Sequence, residues 1–181
     1  MKDKFWVALS SIEQLSSSFI LMLYDHFQDI ESAFYATYSQ LKEIDGLNKK
    51  KAEAFLNLRD KVDLDKTYEY VINNSIDVVT FENPDYPVLL KEIENLPAVL
   101  YVKGDLSSCN LNRTVAVVGS RRATFNGKES LKLVLKDLAN TDICIVSGLA
   151  AGIDTTAHHT AIENGLKTIG VIASGFNFTY P

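Results

Sequence analysis

Cysteine is scarce in this chain. Cys109 and Cys144 are its only two; they stand far apart in the sequence and fit no metal-ligand or redox spacing. A disulfide scaffold is thereby excluded, and both residues read as reduced thiols of a cytoplasmic protein. At 181 residues the chain is long enough for one to two domains and for a core that needs no disulfide or metal. Long apolar runs are missing as well. FILML at 19–23 is far shorter than a membrane span, and the apolar run after MKDK is too short for the core of a signal peptide. No membrane association is expected. Also absent are a G-x-G-x-x-G fingerprint, a Walker lysine motif, a nucleophile elbow, paired catalytic carboxylates and a cluster of metal ligands. The expectation is no catalytic residue, no cofactor and no metal.

Positive charge is in deficit overall. The net charge of −5 excludes a uniformly basic nucleic-acid binder, yet the basic residues that exist are concentrated. Residues 113–136 carry Arg113, Arg121, Arg122, Lys128, Lys132 and Lys136 against Glu129 alone, while 66–112 are dominated by acids. Such asymmetry can focus an anionic ligand on one face despite an acidic total. The lysines equally suit a solvated helix face.

What is there falls into two parts. Residues 1–65 read as a small helical domain. Hydroxyls at Ser16–Ser18 precede FILMLYDHF as a capped amphipathic helix, and DIESAFYATY is a second helical stretch. LKEIDGLNKKKAEAFLNLRDKV then reads as helix, tight turn, helix. Gly46 permits the turn because it takes positive φ without penalty. This stretch resembles a helix-hairpin-helix element, or more broadly a SAM-like module. The second glycine of that hairpin is replaced by Asn48, a residue that tolerates left-handed geometry. Lys49, Lys50 and Lys51 follow; Lys49 and Lys50 are secondary candidates for a phosphate contact, and a purely structural helical module is the competing reading.

Residues 66–181 change period and read as the second domain. TYEYVINN is helical, 76–81 and 98–102 are strands, and VLLKEIENLP between them is a short helix. From Thr114 strand and helix alternate. VAVV (115–118), ICIV (143–146) and TIGVIA (168–173) are continuous apolar runs of the kind covered on both faces in a parallel sheet. GKESLKLVLKDLA and DTTAHHTAIENG between them have helical period, with Leu131, Val134, Leu135 and Leu138 on one face. The fold class is α/β, a helical domain followed by a partial, mostly parallel Rossmann-like sheet with right-handed crossovers.

Ligands of such sheets bind beyond the carboxyl ends of the strands. Here those ends are GSRRATFNG, SGLAAGID and SGFNFTYP, each opening with small residues that let backbone amides approach a ligand. The first two lead into helix N-termini, which attract anions. Arg121 adds a bidentate donor matched to phosphate. Asp154 reads first as the N-cap of the following helix, and His158 as an interior hydrogen-bonder.

VAVVGSRRATFNG, SGLAAGIDTTAHHTAIENGLKTIGVIASGFNFTYP and the upstream DYPVLLKEIENLPAVLYVKGDL resemble the DNA-processing protein A (DprA/Smf) family, in the right order over residues 85–181. The helical N-terminus fits the same family. The resemblance implies a non-enzymatic protein that binds single-stranded DNA in a basic pocket, protects DNA during natural transformation and helps to load the RecA recombinase. Carried over by position, Gly119, Ser120 and Arg121 hold phosphate, Arg122 assists or is solvated, and Ser147, Gly148, Gly152 and Asp154 shape the neighbouring loop; Lys128 is a further secondary contact. Two departures stand out. Ala151 replaces a basic residue common in that loop, and the family fold continues past Tyr180-Pro181 with strands that complete the pocket and the homodimer and recombinase surfaces. The chain therefore reads as C-terminally truncated relative to the family, with an exposed strand edge or apolar face. A nucleotide-binding or nucleotide-hydrolysing Rossmann-like enzyme and a non-binding structural fragment remain as alternatives.

Overall fold

The structure is a computed structural model and describes residues 2–178. The chain divides into two compact units, Met1–Gly104 and Asp105–Pro181. The change of period near residue 65 falls inside the first unit, so residues 66–104, grouped by sequence with the second domain, lie here with the helices.

The first unit opens with α1 (Asp3–Ser10), α2 (Ser17–Phe27), α3 (Ile30–Phe34), α4 (Tyr38–Leu41), α5 (Lys49–Arg59) and α6 (Leu64–Asn73). Five of these starts are set by side chains that accept from otherwise orphaned backbone amides. Ser16 takes the amide of Phe19, Asp29 that of Ser32, Asn48 that of Lys51 and Asp63 that of Lys66, while Thr37 and Gln40 cap each other reciprocally. The reciprocal cap explains why DIESAFYATY is not one helix: the chain leaves α3 at Phe34 so that Thr37 can begin α4. The core gathers Phe5, Trp6 and Leu9 of α1 with Ile20, Leu23, Ile30, Phe34 and Phe55, all buried. Arg59 ties α5 to the end of α3, donating from Nη1 to the carbonyls of Phe34 and Ala36 at 2.9 and 2.8 Å.

At the hairpin, Gly46 adopts φ +79° as its position requires. Asn48 does not take the left-handed conformation. Its backbone is extended, and its Oδ1 accepts from the Lys51 amide at 3.0 Å, so it starts α5 instead of standing in for a second glycine. β1 (Asp77–Thr80) and β2 (Val99–Val102) pair antiparallel in a two-stranded sheet. The helix expected between them is only a 3-10 turn at Val88–Glu92, with Val88 and Leu89 exposed. The loop is anchored instead by buried Tyr86, whose hydroxyl donates to the Pro97 carbonyl at 2.8 Å.

The second unit runs β3 (Thr114–Ala116), α7 (Phe125–Asp137), β4 (Cys144–Ser147), α8 (Ile153–Glu163) and β5 (Lys167–Gly170). The strands form one parallel sheet in the order β3-β4-β5. Right-handed crossovers between adjacent parallel strands put both helices on one face. The core lies on that face: Val117, Leu135, Ile145, Ala157, Ala161 and Leu166. The central strand β4 is buried on both faces, since its successive residues Cys144 and Ile145 are both fully buried, as its composition implied; the outer strands are less covered, and Val115 of β3 is exposed. Val118 and Val171, just past the strand ends, are 88% and 60% exposed. Val134, assigned by spacing to the buried face of α7, is exposed, whereas its neighbour Leu135 is buried; one residue is a rotation of about 100°, and a sheet this narrow covers only a thin stripe of the helix.

Cys109 and Cys144 meet in this unit although distant in sequence. Burial and a hydrogen bond with the Cys109 side chain raise the Cys144 thiol above the usual range, and both cysteines are free. Among the described residues no helix is long and apolar enough to cross a membrane.

Candidate functional site

The carboxyl ends of β3 and β4 and the start of α8 converge on one corner. Val117 donates to the Val146 carbonyl at 2.8 Å, and the chain then turns through Gly119 and Ser120. The Ser120 hydroxyl accepts from the Arg122 amide at 3.0 Å, a local turn that serine favours. The Ser120 carbonyl accepts from the Ile153 amide, at 3.2 Å, which fastens the turn to the first residue of α8.

Glycine is required at two contact points, Gly119 and Gly152. A side chain on Gly119 would begin 2.5 Å from Ile153 Cγ1. Gly152 has φ +91° and ψ −121°, and a Cβ there would lie 2.2 Å from the Ser120 oxygen and 2.7 Å from that of Arg121. Gly148 faces the Asp154 carboxylate, whose Oδ2 is 2.6 Å from where a Cβ would stand.

Gly152, not Asp154, is the N-cap residue of α8, with no side-chain cap. Asp154 lies inside the first turn, where its charge still favours the helix N-terminus. Its carboxylate has no hydrogen bond or ion pair among the described residues. Ser147 is buried, and its hydroxyl donates to the Val117 carbonyl at 2.7 Å; it ties β4 to the end of β3. His158 does act as an interior hydrogen-bonder. Its Nε2 is 2.7 Å from the Gly148 carbonyl, which can only accept, so that nitrogen carries a proton. Its Nδ1 is 2.7 Å from Thr168 Oγ1, which also lies 3.0 Å from the Ile145 carbonyl. The ring thus clips α8 to the loop after β4 and to β5.

Two groups of donors stay open. Arg121 and Arg122 are exposed, and neither guanidinium has a partner among the described residues. At α7, the Thr124 hydroxyl takes the Gly127 amide at 3.1 Å and its carbonyl takes the Lys128 amide at 3.1 Å, and the first amides, of Phe125 and Asn126, have no partner among the described residues. The start of α8 is less open, because Ile153 and Thr155 already donate to Ser120 and Ala150. Lys128 sits in the first full turn of α7, without an ion pair among the described residues. Lys49 and Lys50 belong to the other unit, where Lys49 pairs with Glu53 at 3.7 Å.

The sequence reading passed over Phe125, which is 76% exposed at the first position of α7. An aromatic directly after RRAT, at a helix start where the core needs none, was the available signal. Phe178, in the third strand-end loop, is exposed to a similar degree. Thr179, Tyr180 and Pro181 of that loop lie outside the described residues.

Comparison with known proteins fits this architecture. Residues 77–181 match the family of DNA recombination-mediator protein A. "Protein Smf" of Synechocystis sp. is 32% identical over 183 residues, 99% of this chain and 46% of that protein. "DNA processing protein DprA" of Bacillus subtilis is 40% identical over 106 residues, 59% of this chain and 36% of its own. The crystal structure of DNA processing protein A from Streptococcus pneumoniae superposes with a TM-score of 0.81 at 29% identity, covering 98% of this chain and 60% of that one. The chain spans less than half the length of these curated relatives. With the glycine-built corner and the parallel half-sheet in place, the match over residues 77–181 shows that this chain belongs to the DNA recombination-mediator protein A family.

Proposed function

We propose that this chain binds single-stranded DNA through the corner formed by Gly119, Ser120, Arg121 and the start of α7, as part of a recombination mediator. One observation carries the reading: two exposed guanidinium groups without a partner among the described residues stand on a turn beside open helix-start amides, an arrangement suited to phosphate. Arg121 is the principal phosphate donor and Arg122 assists. Gly148 and Gly152 keep the backbone close, Ser147 buttresses the turn, and Asp154 is placed for a donor on a base or sugar, since its charge repels phosphate. Phe125 and Phe178 offer flat apolar surfaces on which bases stack without regard to sequence. Lys128 adds a secondary contact, and Lys49 and Lys50 a weaker one in the first unit.

The role is non-enzymatic and cytoplasmic: protection of single strands and delivery to a RecA-type recombinase during natural transformation, with homodimerisation in the whole protein. Support comes from the family membership and from relatives named for DNA processing. The test is a titration of a labelled oligothymidylate with the unaltered chain and with Arg121→Ala, each shown to be folded. Salt-sensitive binding that weakens in the variant is expected, and equal affinities would remove Arg121 from the site.

A nucleotide-processing enzyme has one observation on its side, the unpartnered Asp154 carboxylate beside the corner. Hydrolysis of a nucleoside monophosphate that disappears in Asp154→Asn would favour it.

A further inference from the structure

An open cleft of about 250 Å³ runs between α7 and α8, and of its lining only Lys128 is shared with the corner. Lys128 and Lys132 line it from α7. Thr155, Thr156, His159 and Glu163 line it from α8. Lys132 leans on Glu129 at 2.7 Å, and Glu163 also attracts it, whereas Lys128 has no acidic partner among the described residues.

The cleft begins where the corner ends. Gly152 touches the Ser120 and Arg121 carbonyls, and Thr155 follows it within the first turn of α8. Across the cleft, Lys128 lies one turn beyond the cap residue Thr124. From Gly152 to His159 the helix advances about 10 Å, enough for a strand to continue by one or two nucleotides.

The lining determines which part of a strand fits. Two ammonium groups and an imidazole are point donors without the planar fork that reads a base edge. No Phe, Tyr or Trp lines the cleft, so it has no stacking platform for bases. The hydroxyls of Thr155 and Thr156 are already spent as donors to the Ala150 and Gly152 carbonyls. The lysines are the positive charges left to meet an anion, with His159 and the Thr160 hydroxyl as neutral neighbours in the lining, and Glu163 is the group that opposes one.

We infer that the α7–α8 cleft carries the next phosphates of the strand held at the corner, with Lys128 and Lys132 as the contacts and Glu163 at the end of the track. The inference rests on the corner being a phosphate site, and the experiment separates the two. The chain is titrated with a short oligothymidylate of about four nucleotides and a long one of about sixteen, at several salt concentrations.

Lys132→Gln is expected to weaken the long strand by about fivefold and to lower its salt slope by about one, leaving the short strand within about twofold of the unaltered chain. Glu163→Gln is expected to tighten the long strand about twofold, a gain that misfolding cannot produce. Unchanged long-strand affinity in both variants, or an equal loss on both lengths, overturns the cleft assignment while the corner stands. No binding of either strand by the unaltered chain overturns both.

Discussion

Gly152 and Ser120 meet so closely that no side chain fits between them: a Cβ on Gly152 would stand 2.2 Å from the Ser120 carbonyl oxygen. The same residue holds φ +91° and ψ −121°, a conformation that L side chains rarely adopt. This contact joins the turn after β3 to the start of α8. Gly152→Ala is expected to destabilise the second unit by at least about 2 kcal/mol from strain alone, seen as an earlier denaturant transition. A variant that unfolds with the unaltered chain would show that the contact relaxes freely.

His158 holds the loop after β4 from behind through the Gly148 carbonyl and Thr168. His158→Ala leaves a half-buried carbonyl without its donor, at an expected cost of about 1–3 kcal/mol. Because both ring nitrogens are engaged within the unit, loss of DNA affinity should follow loss of stability. Full stability with reduced affinity would instead point to direct contact with the strand.

Acid unfolding of the first unit should report on Asp29. A hydrogen bond from Lys2, followed by those from the Ser32 amide and hydroxyl, holds its carboxyl down at about 2. The folded value lies below the unfolded one, so the stabilisation is present above the ordinary carboxylate range and is lost as pH falls from about 4 towards 2. Asp29→Asn should flatten that limb of the stability profile. An unchanged limb would assign the acid sensitivity elsewhere.

Asn48 starts α5 with its side chain, and Asn48→Ala should lower the stability of the first unit by about 1 kcal/mol. Asn48→Gly should cost only a few tenths. Equal and larger losses in both would favour a hairpin role for the side chain beyond capping.

Much of this architecture was legible because it rests on local chemistry. Ser16 before FILML, Gly46 in a turn, and small residues at each strand end are signals that act within a few residues. The parallel half-sheet follows from the alternation of apolar runs with helical period. The exceptions are decided at longer range. Val134 and Leu135 are equally apolar, and only the narrowness of the sheet exposes one of them. Cys109 and Cys144 meet because a connector folds back on β4, which no spacing encodes. Asp154 looked like a cap, but the close approach of Gly152 to Ser120 starts α8 two residues earlier. At the corner, the glycines and arginines could be named from sequence, whereas the commitment of the Ser147 hydroxyl to Val117 and the exposure of Phe125 required the fold.

The most direct test of the account is the salt dependence of single-stranded DNA binding by the unaltered chain and by Arg121→Ala. The account predicts that affinity falls with salt in both, that the variant binds all sequences more weakly, and that its slope is lower by about one. Identical slopes and affinities in two folded proteins would contradict the claim that this corner holds a phosphate.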